Sequence, residues 1–374
     1  MKNIVLISLD CVRADVGYSG KFSAINELMK NGVSFINTIS SAPLTPVSHA
    51  SVLTGLQPYN HGMRHLFKEK VNKKVATIQQ LLKKRGYKTA AIVSCPGMNK
   101  WYGFSKGFDH YDDEIPRLAD GSDPLKTVDV KLRGTALKRA NIVYERGLKW
   151  LEENKNAPFF LFLHFFDAHW PYEAPKIYGG NNAYEEEVAF SNHYLKMFFD
   201  KLKNFGLWKD TTIICFSDHG EDLDGMYSND KGGKKLGHPE ESGHGCLLYD
   251  QTQKVLFIAK DTKLPKNKKI LTQVRLIDIF PTIAELTSVK FKSKIDGKSV
   301  LQIINGSEKG SRIGYSETFY PEEQGAKNKN LRFAKNKKSL RIDNKYKAIF
   351  NLDSDSIELY DLQADSNEKI NLNQ

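Results

Sequence analysis

Short unbroken apolar runs alternate along most of this chain with segments whose apolar positions recur at helical spacing. Parallel strands are joined by helical crossovers that cover the sheet, so the alternation predicts an α/β fold with a large, mostly parallel sheet and helices on both faces. Residues 3–9, 88–94, 158–165, 211–216 and 254–259 read as strands. The run P-F-F-L-F-L-H-F at 158–165 is apolar almost throughout, as a strand buried on both faces is. Helices are predicted over 24–30, 77–85, 135–154, 184–205 and, despite Pro281, 277–286. From about residue 311 the pattern changes to short, alternating, hydrophilic segments at 331–333, 339–342, 346–350 and 357–362, which suit a small antiparallel sheet. The expected organisation is a large α/β domain, 1–310, with a small antiparallel subdomain, 311–374, packed on it and ending in a polar trailing tail, 364–374.

Within this frame the stretch S-S-A-P-L-T-P-V-S-H-A-S-V-L-T-G, from Ser40 to Gly55, holds a helix start. Thr45 reads as its N-cap and Pro46 as its first residue, where a missing N–H is harmless. A hydroxyl there faces unpaired backbone N–H groups and the positive end of the helix dipole, which favour an alkoxide or a bound oxyanion. Capping alone is the competing reading. Three predicted strands end in ligand-type residues: Asp10 after Leu9, Asp167-Ala168-His169 after Phe166, and Asp218-His219 after Ser217. In open α/β sheets such strand ends border the binding crevice. Asp10, Asp218, His219 and the Thr45 hydroxyl form a four-ligand set of three oxygens and one imidazole, suited to zinc or manganese; an all-oxygen set leans to calcium or magnesium. Such an ion would activate Thr45 and neutralise charge on an ester oxygen. His169 and His244, the latter in G-H-G, are candidates for binding the transferred group or protonating the leaving group. Cys11 is a less favoured ligand, a thiol packed behind the site being the simpler reading.

Composition narrows the class. At 374 residues, 40% hydrophobic and 26% charged, the chain can bury a large core, and no apolar run approaches the ~20 residues that span a bilayer. Ile4–Leu9 runs straight into Asp10 and reads as a strand rather than a signal peptide. Cys11, Cys95, Cys215 and Cys246 stand far apart with no C-x-x-C pair, which indicates neither a disulfide framework nor a zinc ribbon and, with no leader, favours the cytoplasm. The net charge of +11 favours a small anionic substrate. Its lysines are spread through predicted loops without a nucleic-acid motif, so no nucleic-acid partner is indicated. Oligomeric state is left open.

Six ordered motifs carry a family resemblance: N-I-V-L-I-S-L-D-C-V-R-A-D, T-P-V-S-H-A-S-V-L-T-G, H-F-F-D-A-H-W-P-Y, F-S-D-H-G-E-D-L, G-H-G-C-L-L-Y-D and R-L-I-D-I-F-P-T-I-A-E-L. Together they resemble the sulfatase branch of the alkaline phosphatase superfamily over nearly the whole chain. The resemblance implies an α/β sandwich, a covalent ester on residue 45, metal ligands at Asp10, Asp218 and His219, and oxyanion contacts at His169 and His244. His49, at the arginine place of the sulfatase C/S-x-P-x-R motif, and also Lys100 and Lys235 are assigned as further substrate contacts. The chain departs from the family in having Thr45 where sulfatases carry a Cys or Ser converted to formylglycine, so no formylglycine is expected. It also has Asp10-Cys11 and Asp218-His219 where carboxylate-rich calcium sites have two aspartates and an Asp-Asn.

These departures are similar to the phosphoryl-headgroup transferases and nucleotide phosphodiesterases of the superfamily. The expected function is a metal-dependent hydrolase of phosphate or phosphonate esters, especially diesters, through a covalent Thr45 intermediate. Alternatives are a sulfatase, a headgroup transferase, or an inactive binding protein on the same fold. One metal is expected; a second, if present, would be held by Asp167, His169 and His244.

Overall fold

The computed structural model describes every residue except 67, 118–119, 124–137, 224–232, 240, 242, 326–334 and 374. Eight strands make the main sheet: β1 (Asn3–Leu9), β2 (Val33–Phe35), β3 (Lys88–Ile92), β4 (His110–Asp112), β5 (Phe159–Phe165), β6 (Thr211–Phe216), β7 (Phe257–Lys260) and β8 (Lys268–Ile270). Their spatial order is β8-β2-β7-β6-β1-β5-β3-β4. All run parallel except β7, which is antiparallel to both β2 and β6. The principal helices are α1 (Ser23–Asn31), α2 (Thr45–Thr54), α3 (Ile78–Lys84), α4 (Ala140–Asn154), α5 (Ala183–Asn204) and α6 (Ile279–Leu286).

Side chains alternate across a strand, so one buried strand feeds two cores. Ile4 and Leu6 of β1 join Phe160, Phe162, Ile214 and Phe216 against α2, α3 and α6. Val5, Ile7 and Leu9 join Leu161, Leu163, Phe165 and Ile213 against α1, α4 and α5. This is the expected α/β architecture. Pro281 falls in the first turn of α6, where its absent N–H has no intrahelical partner to lose.

Several predicted boundaries shift. The helix expected from 135 begins at Ala140, and 135–137 lie outside the described residues. The expected strand 254–259 is two strands: Lys254–Val255 pairs with Thr38–Ile39, which also pairs with Val274–Arg275, and β7 starts after Leu256. Strands β2, β4 and β8, each three residues long, are too short to show a period.

Near the C-terminus β9 (Gly314–Thr318), β10 (Lys337–Ile342), β11 (Tyr346–Asn351) and β12 (Ser356–Asp361) form an antiparallel sheet in chain order. Sequence reading missed β9, while the strand predicted at 331–333 lies outside the described residues. Strand β9 docks on the segment before α2: Ser316 Oγ donates to Ser40 O at 2.5 Å and Glu317 N to Ser41 O at 3.0 Å. The tail expected to trail does not. Glu368 is 1% exposed, accepts from Asp250 N at 2.7 Å and pairs with Lys347 Nζ at 2.7 Å. Asp250 in turn accepts from Arg341 Nη1 and, at 3.1 Å, from Lys347 Nζ, so this cluster bolts the small sheet and the tail to the main body. Beside it, buried Glu241 accepts from Cys246 N (2.5 Å) and Leu247 N (3.2 Å), shaping the loop whose Leu247, Leu248 and Tyr249 pack on Ile349 and Tyr360.

Asp250→Ala leaves Arg341 and Lys347 without their buried acceptor and is expected to cost about 2–4 kcal/mol in urea unfolding. Burial, reinforced by Asp222 and Glu221, pushes the Glu241 carboxyl up to about 8 from 4.5. A folded-state acid with a raised pKa keeps its proton where the unfolded chain has lost it, so stability falls as pH rises through that window. Glu241→Gln should therefore gain stability relative to the parent between about pH 5 and pH 8, the difference growing with pH in paired unfolding curves.

Candidate active site

The sheet brings the carboxyl ends of β1, β5 and β6 together, and with them Asp10, His164 and Asp218. The chain turns sharply after β1. Cys11 has φ 60°, a left-handed conformation uncommon for a residue with a side chain. The turn aims its N–H at Asp218 Oδ1 (3.3 Å) and its Sγ at Asp10 Oδ1 (2.9 Å), while Tyr184 Oη donates to Cys11 O at 2.7 Å. After β6, Ser40 Oγ and Ser48 Oγ both donate to the Asp218 carbonyl, at 2.6 and 2.8 Å. Gly220 lets the next turn press on the loop at 250–253: a Cβ there would lie 1.9 Å from Gln251 O. His219 is thereby placed with Nδ1 donating to Gly220 O (2.9 Å), which leaves the Nε2 lone pair facing the site.

Thr45 is one residue inside the helix rather than its cap. Leu44 is the N-cap, with no side-chain cap bond, and Pro46 follows Thr45 within the first turn. The Thr45 hydroxyl is thus not engaged in capping. It donates to Asp10 Oδ2 at 3.1 Å and stands 3.3 Å from His219 Nε2. His219 Nε2 is also 3.4 Å from Asp218 Oδ2. These spacings suit donors that converge on one ion, and an imidazole among the oxygens leans to zinc or manganese over calcium. Asp218 Oδ2 is buried and has no hydrogen-bond partner. An orphaned carboxylate oxygen in such a place is what a cation would satisfy, and the residues present therefore fit a divalent ion.

Two members of the cluster escaped sequence reading. His164 is fully buried in β5. Its carbonyl accepts from Ser94 Oγ (2.6 Å) and its Nδ1 accepts from Ser94 N (3.3 Å), so Nε2 carries the proton and donates to Asp10 Oδ2 at 3.1 Å. Burial opposes ionisation of Asp10, yet the His164 bond and the nearby histidines hold its carboxyl well below the usual carboxylate range. Glu221, also fully buried, is pushed up to about 7 by burial; its Oε1 lies 3.3 Å from His244 Nδ1 and its Oε2 has no partner. The signal for His164 was a lone polar side chain in an apolar strand, and for Glu221 the carboxylate two residues past Asp218-His219.

The remaining predicted residues divide. His169 and His244 do reach the cluster: their ring centroids are 5.0 Å apart, and that of His244 is 4.2 Å from His219. His49 does not contact substrate space. It is fully buried, with Nδ1 donating to Thr45 O (2.7 Å) and Nε2 accepting from Ser8 Oγ (2.8 Å), and burial pushes its pKa down to about 3. It holds the first turn of α2 against β1. Asp167 turns away from the site, taken up by Arg139 Nε (3.0 Å), Ala140 N (3.1 Å) and Ser191 Oγ (3.1 Å), so it cannot share a metal with His169 and His244. Lys100 is exposed and pairs with Asp113 at 3.0 Å. Lys235 is exposed on the short helix Gly233–Leu236. Neither has a contact with the cluster among the described residues. Cys11, the less favoured ligand, lies at its centre.

A family model described as Sulfatase matches residues 2–289, and one described as N-sulphoglucosamine sulphohydrolase, C-terminal, matches 245–374. A protein named Sulfatase from Formosa agariphila is 24% identical, covering 99% of this chain and 82% of that protein. The Delta 4,5-hexuronate-2-O-sulfatase of Bacteroides thetaiotaomicron is 21% identical over 93% of this chain and 78% of its own length. Among solved structures, the phosphonate monoester hydrolase of Agrobacterium radiobacter superposes with a TM-score of 0.79 at 18% identity, covering 100% of this chain and 91% of that one. A protein in complex with D-glucosamine-2-N,6-O-disulfate gives 0.75 at 17% identity, covering 99% and 93%. With its strand-end carboxylates, helix-start hydroxyl and a family model matched over most of its length, the chain belongs to the sulfatase family, hydrolases of the alkaline phosphatase superfamily.

Proposed function

We propose that the chain is a metal-dependent hydrolase of phosphate or phosphonate esters, diesters above all, acting through a covalent ester on Thr45. The observation that carries this reading is the Thr45 hydroxyl, uncommitted to capping and held 3.1 Å from Asp10 Oδ2 and 3.3 Å from His219 Nε2. Asp10, Asp218, His219 and Thr45 would hold a divalent ion, zinc or manganese in preference, which when bound supplies Lewis acidity for an ester oxygen and a lower hydroxyl pKa. Asp10 orients the hydroxyl, and His164 keeps that carboxylate in place. Thr45 Oγ1 attacks phosphorus, the bond to the leaving oxygen breaks, and the Thr45 proton departs with the alcohol. Water then cleaves the Thr45 ester, releasing the acid and restoring the hydroxyl. His169 and His244, which reach the cluster, are the candidates to meet charge on the leaving oxygen or to protonate it.

The second reading, sulfate ester hydrolysis, is favoured by the sulfatase names of the relatives. Against it stands threonine at position 45, which cannot form the aldehyde hydrate that sulfatases use. Thr45→Ala is expected to lower turnover of an activated aryl phosphodiester by roughly 10³-fold or more in a steady-state assay, and unchanged activity would sink the mechanism. The parent should turn over that diester faster than the matching aryl sulfate; equal or greater rates on the sulfate would reverse the ranking. Dialysis against a chelator should abolish activity, and zinc or manganese should restore it better than calcium.

A further inference from the structure

Away from the catalytic cluster, a cavity of about 410 Å³ opens where the main body meets the small sheet and the tail. The helical turn that follows Arg13 and the segment 250–254 form one side, and β10, the turn after it and the tail form the other. Asp10, Thr45, Asp218, His219 and His244 are not among its lining residues. Its volume is that of a site for a small molecule. Three cations, Arg13, Lys254 and Arg341, line it against two carboxylates, Asp15 and Asp250. Both carboxylates are already taken. Arg13 holds Asp15 through Nε (3.0 Å) and Nη2 (3.1 Å), and Asp250 accepts from Arg341 Nη1 and Lys347 Nζ.

Lys254 is left over. Among the described residues its ammonium makes no hydrogen bond or ion pair, and burial holds its pKa below the usual lysine range. A partly desolvated cation without a partner is costly to keep. Arg341 is 4% exposed and spends Nη1 and Nη2 on Asp250 and Asn344, yet its Nε is buried with no acceptor. Gln251 Oε1 is likewise buried and unpartnered, and the side chains of Ser366 and Asn367 make no hydrogen bond among the described residues. We infer that this cavity binds a small hydroxylated oxyanion, in class the phosphate ester of a short polyol, with Lys254 and Arg341 Nε on the anionic group and Gln251, Ser366 and Asn367 on the hydroxyls. The anion supplies the acceptors that both cations lack, as charge-assisted hydrogen bonds. A bare oxyanion would leave much of the cavity to water. Lys254 belongs to the main body and Arg341 to β10, so a bound anion ties the small sheet to the body beside the Asp250 cluster.

The site depends neither on the proposed reaction nor on its metal, and glycerol 3-phosphate is the probe. At about 100 times its Kd it should raise the melting temperature of the parent by about 3 °C over chloride of matched ionic strength. Lys254→Gln should lose that rise and weaken binding in calorimetric titration by about tenfold or more, while Lys254→Arg keeps it. Thr45→Ala, altered only at the catalytic cluster, should keep it as well. The general salting effect of phosphate acts alike on all four chains, so the difference between them carries the result. In chloride alone Lys254→Gln should melt no lower than the parent, because it removes an unpartnered cation; a lysine that merely braced the fold would give a lower value. Inorganic phosphate should bind the same site more weakly, and equal affinity would overturn the hydroxyl contacts. No rise in the parent, an equal rise in Lys254→Gln, or a rise lost in Thr45→Ala but kept in Lys254→Gln would overturn the site.

Discussion

Three carboxylates held wholly out of water, Asp10 after β1 and Asp218 and Glu221 after β6, set the terms for everything around them. A buried ionised group costs several kcal/mol unless it is paired or hydrogen-bonded. The surroundings of Asp10 and Asp218 show how that cost is met. His164 donates its Nε2 proton to Asp10, Cys11 and His219 turn backbone N–H groups toward Asp218, and Ser40 and Ser48 fix the Asp218 carbonyl. What these contacts leave undone is a pair of buried oxygens without hydrogen-bond partners, Asp218 Oδ2 and Glu221 Oε2. The apolar sheet beneath is the rigid base that keeps the groups from moving apart or reaching water.

The place of Thr45 follows from the same economy of contacts. A threonine serving as N-cap would spend its oxygen on a backbone N–H. Shifting the cap to Leu44 leaves the oxygen directed at Asp10 and His219, yet still within the first helical turn and its positive potential. His49, one turn along, ties the Thr45 carbonyl through its ring to Ser8 of β1, so the nucleophile and the strand bearing Asp10 are joined by a buried, uncharged link.

The layered fold was legible because buried strands and amphipathic helices have different periods, and α5 and β5 show them plainly. Asp10, Thr45, Asp218 and His219 were legible because a strand end or helix start limits where a side chain can go. What stayed hidden depends on contacts distant in sequence. His164 sits inside a run that reads as core, and only the fold shows that its Nε2 meets Asp10. Asp167 and His169 differ by two residues, but one faces Arg139 on α5's side and the other faces His244. Cys11 resembled packing until the left-handed turn at its own backbone brought the sulfur forward. The tail read as trailing because a single buried Glu368 leaves no periodic trace.

The position of β1 also governs how this protein comes into being. It lies inside the sheet, with Ile4 paired to Phe160 on one side and to Thr212 on the other. An apolar strand with both edges open must therefore wait for more than 150 later residues before either neighbour exists. Contacts of such long sequence separation close slowly and leave sticky edges exposed meanwhile. Folding of the sheet thus turns on pairings between β1 and strands far along the chain, and until they close the two open edges of β1 are where this apolar strand can pair wrongly.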